Sequence, residues 1–290
     1  KDYFVYKEAL EKDYFCKRAD GPYMKGKVWP GECNFPDYTN PVVREWWAGL
    51  FKELISDIGV KGVWNDMNEP AVMEVPNKTF PMDVRHDYDG NPCSHRKAHN
   101  IYGTQMARAT YHGVKRFAYP KRPFVITRSA YAGAQRYSSS WTGDNVASWE
   151  HLWIANIQMQ RMSISGMGFT GSDIGGFAEQ PSGELYARWI QLGVFHPFCR
   201  THSSGDHGDQ EPWAFDEEVT NIIRKFVNLR YQLLPYLYTM FWQYIEQGIP
   251  MLKPLVYYDQ DDIQTHYRND EFIFGNQILV CPILEPNSLG

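Results

Sequence analysis

No run of about 18 apolar residues occurs anywhere in the sequence, so no segment has the length to cross a bilayer as a helix. The opening residues Lys1, Asp2 and Tyr3 do not lead from a basic stretch into an apolar one, and no secretory leader is read there. Paired cysteines are missing too. Cys16, Cys33, Cys93, Cys199 and Cys281 contain no CxxC and no spacing suited to zinc, which makes buried, unreactive thiols the expectation. Concentrated positive charge is also lacking: the net charge is −5, with Lys and Arg scattered among acids. Such a surface offers a polyphosphate nothing to grip, and nucleic acid is not an expected partner.

What the sequence has in quantity is rings. Aromatic residues make up 16% of it, with ten Trp and nineteen Tyr, inside an apolar fraction of 43% that can fill a sizeable core. Two uses of the rings stay open. They can fill the core, as most aromatics do, or floor a sugar site, because a pyranose presents an apolar C–H face rimmed by hydroxyls.

The hydrophobic period alternates along the chain. Helical spacing over Val42 to Phe51 gives way to the apolar run Gly59 to Trp64, which stops at Asn65, Asp66, Met67, Asn68, Glu69 and Pro70. A helical stretch Ile101 to Phe117 precedes a strand Phe124 to Thr127 that ends at Arg128 and Ser129, and a third strand, Tyr137 to Trp141, ends at Asp144. The helix Leu152 to Ile164 leads to a strand Met167 to Thr170 ending at Asp173, and the helix Leu185 to Leu192 to a strand Val194 to Phe198 ending at Arg200 and His202. Strands alternating with helices predict a parallel sheet. Because five different strand ends deliver polar groups, a (β/α)₈ TIM-type barrel fits better than a doubly wound sheet, which binds mainly at one switch point. Phe215 to Gln247 reads as a long helix interrupted near Pro235, and Gly275 to Pro282 as the first strand of something new. The division expected is residues 1–247 as barrel, about strands 4 to 8 with the loop region before them, and 248–290 as the end of the barrel region and the start of an all-β C-terminal domain.

Asp66 alone would be read as an N-cap, and Asp144, in a Gly-Asp-Asn sequence, as a turn residue. Company changes both readings. Trp64 can floor a sugar ring, and Asn68 and Glu69 can hold the Asp66 carboxylate in place. Two carboxyl groups at barrel strand ends suit glycoside hydrolysis, and retention of configuration needs them roughly 5 Å apart. In that chemistry one stays ionised as nucleophile, Asp66, while the other holds a proton, Asp144.

The runs Trp64-Asn65-Asp66-Met67-Asn68-Glu69-Pro70 and Trp141-Thr142-Gly143-Asp144-Asn145 resemble the α-glucosidases of glycoside hydrolase family 31. The likeness continues through Arg128-Ser129, Gly171-Ser172-Asp173-Ile174-Gly175-Gly176-Phe177, Pro197-Phe198-Cys199-Arg200-Thr201-His202 and Phe272-Ile273-Phe274-Gly275, in order and over nearly the whole chain. It implies a retaining, exo-acting α-glucosidase that needs no metal or organic cofactor. Asp66 would form the glycosyl-enzyme, and Asp144 would act first as acid and then as base. Arg128, Asp173 and His202 would surround the terminal glucose, with Trp64, Met67, Trp141 and Phe177 shaping the pocket. The implied substrates are malto- or isomalto-oligosaccharides. Transglucosylation of the same kind and an α-glucan-binding module are the competing readings. An α-xylosidase fits less well, because relatives of that type resemble Lys-Thr-Asp-Phe-Gly-Glu where this chain has Trp64 to Glu69. Taken singly, Arg128 could be a structural ion pair, Asp173 a turn residue, His202 a packed loop histidine, and Phe177 and Met67 ordinary packing. Family members carry further sugar-binding residues on earlier strands, so the sequence reads as a segment of a longer enzyme, with Lys1 to Gly31 as the loop region after a third strand.

Three smaller patterns remain. Asp87-Tyr88-Asp89-Gly90-Asn91 resembles part of a calcium loop, but Ala98 stands where the final Glu belongs, so a turn is expected. His202, Asp206, His207 and Asp209 lie in a Gly- and Ser-rich loop without the spacing that fixes a metal. Asn77-Lys78-Thr79 is an acceptor sequence for N-glycosylation.

Overall fold

A computed structural model describes residues 3–288. They gather into two compact units, one up to Ser139 and one from Ser140 onward.

The first unit opens with α1 (Phe4–Glu11) and the antiparallel hairpin of β1 (Lys25–Val28) and β2 (Gly31–Asn34). Helix α2 (Pro41–Gly49) starts where the Asn40 side chain accepts from the Val42 N–H and Pro41 supplies a preset φ. After a π-helical turn over Glu53–Asp57 come β3 (Val63–Asn65), the small ladder of β4 (Arg85–His86) and β5 (Cys93–Ser94), α3 (His95–Ala118) and β6 (Val125–Thr127). β3 and β6 are parallel, with Asn65 opposite Thr127 on the last rung, and α3 is the crossover between them. Phe35, Tyr38, Phe80 and Tyr102 dominate one core cluster, while Phe51, Ile55, Val114 and Val125 seat α3 near β6. α3 begins earlier than the helix expected from Ile101. Its first turns carry polar residues, of which His95 is completely buried, so the apolar period alone could not reveal them.

The chain enters the second unit within β7 (Ser139–Trp141). There follow α4 (Trp149–Ile164), β8 (Thr170–Gly171), β9 (Asp173–Ile174), α5 (Gly183–Gly193), β10 (Arg200–Thr201) and α6 (Glu217–Gln247). Ser148, Ser182 and Asp216 cap α4, α5 and α6 through their side-chain oxygens. β7 runs parallel to β8 and β9 parallel to β10. The three strands β11 (Leu252–Lys253), β12 (Phe272–Phe274) and β13 (Ile278–Val280) form an antiparallel sheet. Trp189, Tyr186, Leu152, Met159, Ile174, Phe272 and Phe274 are core residues here.

Gly275 to Pro282, expected as a first strand, holds the turn after β12 and then β13, the last of the three antiparallel strands, and two further expectations fail in this unit. Val194 to Phe198 is a buried turn, and the following strand starts at Arg200. Arg230 of α6 explains how an apolar run can turn: its guanidinium donates to the carbonyls of Val194, His196 and Pro197 at 2.8, 2.7 and 2.8 Å, replacing the ladder partners a strand would have needed. Second, α6 continues through Pro235 without interruption. Pro235 is exposed, so the lost backbone bond falls on the solvent side.

Candidate active site

In the first unit the site is built on the last rung of the β3–β6 ladder. Asn65 pairs with Thr127, and the Arg128 N–H donates to the Asn65 carbonyl at 3.0 Å, so Asp66 and Arg128 leave the ladder side by side. Arg128 Nη1 lies 3.2 Å from Asp66 Oδ1. Its other nitrogens are also engaged: Nε donates to Glu69 Oε1 at 2.7 Å, and Nη2 reaches the Met67 sulfur at 3.1 Å. One guanidinium thus ties together three residues of the Asp66 loop. Asn68, buried, accepts from the Ser129 N–H at 3.0 Å and donates to Thr127 Oγ1 at 2.8 Å. The help expected of Asn68 and Glu69 is therefore given to the Arg128 side of the pair, with Arg128 passing it on to Asp66. Met67 sits at φ +58°, a left-handed conformation that a side chain rarely adopts, which bends the chain sharply after Asp66. Trp64 is 43% exposed.

Helix α3 approaches this loop through Gly103. A Cβ there would stand 2.7 Å from the Asn68 carbonyl oxygen and 2.7 Å from Ser129 Cβ, so only glycine allows helix and loop to meet.

In the second unit Trp141 pairs with Gly171, and the Thr142 N–H donates to the Gly171 carbonyl at 3.1 Å. Gly143 then turns at φ +81°, and Asp144 emerges exposed. Thr142 Oγ1 donates to Asn145 Oδ1 at 2.6 Å across this turn. The Asn145 carbonyl accepts from the Phe177 and Ala178 N–H groups at 2.7 and 3.0 Å, fastening the loop of Phe177 to the loop of Asp144. Phe177 and His202 stack at a tilt, their centroids 5.2 Å apart. Asp173 is completely buried, and Arg200 donates to it from Nε and Nη2 at 3.2 and 2.9 Å.

Each unit therefore assembles its own share of the expected residues: Asp66, Met67 and Arg128 in contact in the first, and Asp173 bonded to Arg200 beside Trp141 in the second. Arg200 went without a role in the sequence, and Glu69, expected to hold Asp66, is bonded to Arg128 instead. Glu69 and Arg200 were visible in the motifs, but their partners lie 59 and 27 residues away.

Among the described residues one group has metal-ligating side chains close together. Cys16, Asp37 and His86 are buried with their ligand atoms within 4.8 Å of one another. The Asp37 oxygens already accept from Thr39 N–H and Oγ1, from the Asp87 N–H and from His86 Nδ1 at 3.1 Å. His86 Nε2 continues to His95 Nδ1 at 2.9 Å, and His95 Nε2 to His99 Nδ1 at 3.0 Å. The cluster is a closed hydrogen-bond chain that fastens the segments before α2 and α3. Asp87 to Asn91 forms a turn, in which Asp87 Oδ1 accepts from the Gly90 N–H at 2.9 Å.

Comparison with known proteins agrees along the whole chain. The family model of the glycosyl hydrolases family 31 TIM-barrel domain matches residues 1–240, and that of the glycosyl hydrolase family 31 C-terminal domain matches residues 248–289. The chain is similar to alpha-glucosidase 2 of Bacillus thermoamyloliquefaciens, with 46% identity over 289 residues, covering 99% of this chain and 36% of that protein. Its structure is similar to that of the glucosidase II alpha subunit in its Glc1Man2-bound form, at TM-score 0.94 and 38% identity, covering 99% of this chain and 31% of that one. It is also similar to the Flavobacterium johnsoniae GH31 dextranase complexed with glucose, at TM-score 0.90 and 31% identity, covering 98% and 36%. The chain spans about a third of the length of the curated relatives it matches. The fold class is that of the two models, a TIM barrel followed by the start of a C-terminal domain.

Proposed function

The chain belongs to glycosyl hydrolase family 31, and from that premise we propose that the protein is a retaining, exo-acting α-glucosidase that removes terminal glucose from α-linked oligosaccharides. The observation that carries the reading is the Arg128–Asp66 ion pair at the ends of two paired parallel strands. A carboxylate aimed by a guanidinium that is itself fixed by Glu69 and Met67 is oriented as a nucleophile must be.

In this mechanism Asp66 attacks the anomeric carbon and forms a glycosyl-enzyme, while Asp144 protonates the departing glycosidic oxygen. Asp144 then takes a proton from water, which attacks the same carbon from the opposite face, and two inversions give net retention. Arg128, Asp173 and His202 hold the hydroxyls of the terminal glucose. Trp64, Met67, Trp141 and Phe177 cover its apolar faces. Besides water, these side chains suffice in this reading, which calls on no metal or organic cofactor. Residues 1–247 form the catalytic barrel region and 248–290 the beginning of the β domain. Likeness to alpha-glucosidases supports malto-oligosaccharides as substrates, and likeness to a dextranase supports isomalto-oligosaccharides.

The test is turnover by the full-length protein of an aryl α-glucoside, maltose, isomaltose and nigerose, with Asp66→Asn and Asp144→Asn variants alongside. Asp144→Asn is expected to lose about 10²–10⁴-fold in rate on the disaccharides. An Asp66→Asn variant with ordinary turnover would remove the proposed nucleophile, and build-up of longer sugars at high substrate would point to transglucosylation.

A further inference from the structure

Asp144 is exposed, and the backbone on either side of it sets where its carboxyl stands. Gly143 supplies the turn before it, at φ +81°. After it, four consecutive N–H groups are all engaged. Asn145 donates to the Gly143 carbonyl at 3.0 Å, Ala147 to the Ala178 carbonyl at 2.8 Å and Ser148 to the Val146 carbonyl at 2.8 Å. The remaining N–H, that of Val146, goes to a side chain and donates to His151 Nδ1 at 3.0 Å. His151 is fixed in turn: its own N–H donates to Oγ of Ser148, the N-cap of α4, at 3.1 Å. One residue in the first turn of α4 therefore ties loop to helix twice, once by its backbone and once by its ring, in the manner of a reciprocal cap. An Nδ1 that accepts carries no proton, so the neutral ring holds its hydrogen on Nε2. The loop is also closely packed at Ala147, where a Cβ on Gly176 would stand 2.5 Å from the Ala147 nitrogen.

We propose that His151 is a positioning residue for the acid and base carboxyl: by holding the Val146 N–H it fixes the backbone from which Asp144 meets the glycosidic oxygen. The inference rests on the role given to Asp144 in the proposed mechanism and adds a residue that acts on the sugar only through Asp144. Its consequence is specific to proton transfer. A carboxyl displaced with its loop keeps its charge, but it no longer stands at the separation of about 2.6–3.2 Å that proton transfer to the leaving oxygen requires. A leaving group that departs without a proton, such as dinitrophenolate, is indifferent to the shift, whereas a sugar alkoxide is not.

The experiment measures kcat/KM of the full-length wild type, Asp144→Asn, His151→Leu, His151→Phe and His151→Asn on dinitrophenyl α-glucoside and on the faster of maltose and isomaltose. Oδ1 of an asparagine takes the place of histidine Nδ1 relative to Cβ, and leucine has nearly the shape of asparagine without the acceptor. His151→Leu is expected to lose about 10–100-fold on the disaccharide and less than about threefold on the dinitrophenyl glucoside, the pattern of Asp144→Asn in smaller measure. His151→Asn is expected to bring cleavage of the disaccharide back to within about fivefold of wild type. His151→Phe keeps a ring without an acceptor and decides the matter if His151→Leu does not fold. Leu and Phe variants that lose rate equally on both substrates, or on neither, would make His151 merely structural and overturn the inference, as would a His151→Asn variant no better than His151→Leu. An Asp144→Asn variant without the leaving-group dependence would instead overturn the role of Asp144, and the inference with it.

Discussion

Arg128 is where strand pairing and chemistry meet. It leaves the ladder next to Asp66 because Asn65 and Thr127 are partners, and its three nitrogens hold Asp66, Met67 and Glu69. Arg128→Lys would keep one of these contacts. It is expected to lower kcat/KM by about 10–100-fold with an unchanged circular dichroism spectrum. A variant with wild-type kinetics would show that Asp66 needs no such support. At this scale the sequence was informative about identity and poor about partnership. Asp66, Arg128 and Asp173 stood out because charged residues end apolar runs. That Glu69 serves Arg128, and Arg200 serves Asp173, depends on register between strands distant in sequence, which no local pattern encodes.

Between elements, close approach and buried carbonyls decide what substitution costs. Gly103 lies inside α3, where alanine would ordinarily gain about 1 kcal/mol. Here a Cβ meets the Asn68 carbonyl and Ser129, so Gly103→Ala is expected to lower the unfolding free energy by about 1–3 kcal/mol and to displace the Asp66 loop, lowering kcat as well. Chemical denaturation and steady-state rates check both effects. Arg230→Met would strand the three carbonyls of the turn at Val194, His196 and Pro197, at a cost of about 2–4 kcal/mol in the same measurement. An unchanged midpoint would contradict the part given to Arg230. That turn also shows why the strand expected over Val194 to Phe198 was wrong: a short apolar run says that a segment is buried, while the choice between ladder and turn was made by an arginine more than thirty residues later. The long helices and the strands ending at Asp66, Arg128 and Asp144 were legible because their apolar period is strong. The β1–β2 hairpin and the β4–β5 ladder carry too few residues to show one.

For the molecule as a whole, each unit contains a completely buried histidine that burial keeps neutral, His95 in the first and His196 in the second. Burial lowers both from 6.5 to about 3, with the neighbouring histidines adding to the effect at His95 and Arg230 at His196. Because the folded values are depressed, the unfolded chain binds protons first as pH falls. The stability is fully present above about pH 6.5 and is lost downward toward pH 3, at about 1.4 kcal/mol per pH unit for each histidine. Urea midpoints between pH 7 and pH 5 are expected to fall steadily, and a flat profile would contradict two neutral buried histidines. Family and barrel class were legible because the motifs at successive strand ends occur in order. The roles given to Asp66 and Asp144 make a sharper demand, on stereochemistry. The direct measurement is the anomer first released when the full-length protein cleaves an aryl α-glucoside, followed by proton NMR before mutarotation. α-Glucose is expected first, and initial β-glucose would contradict a glycosyl-enzyme on Asp66.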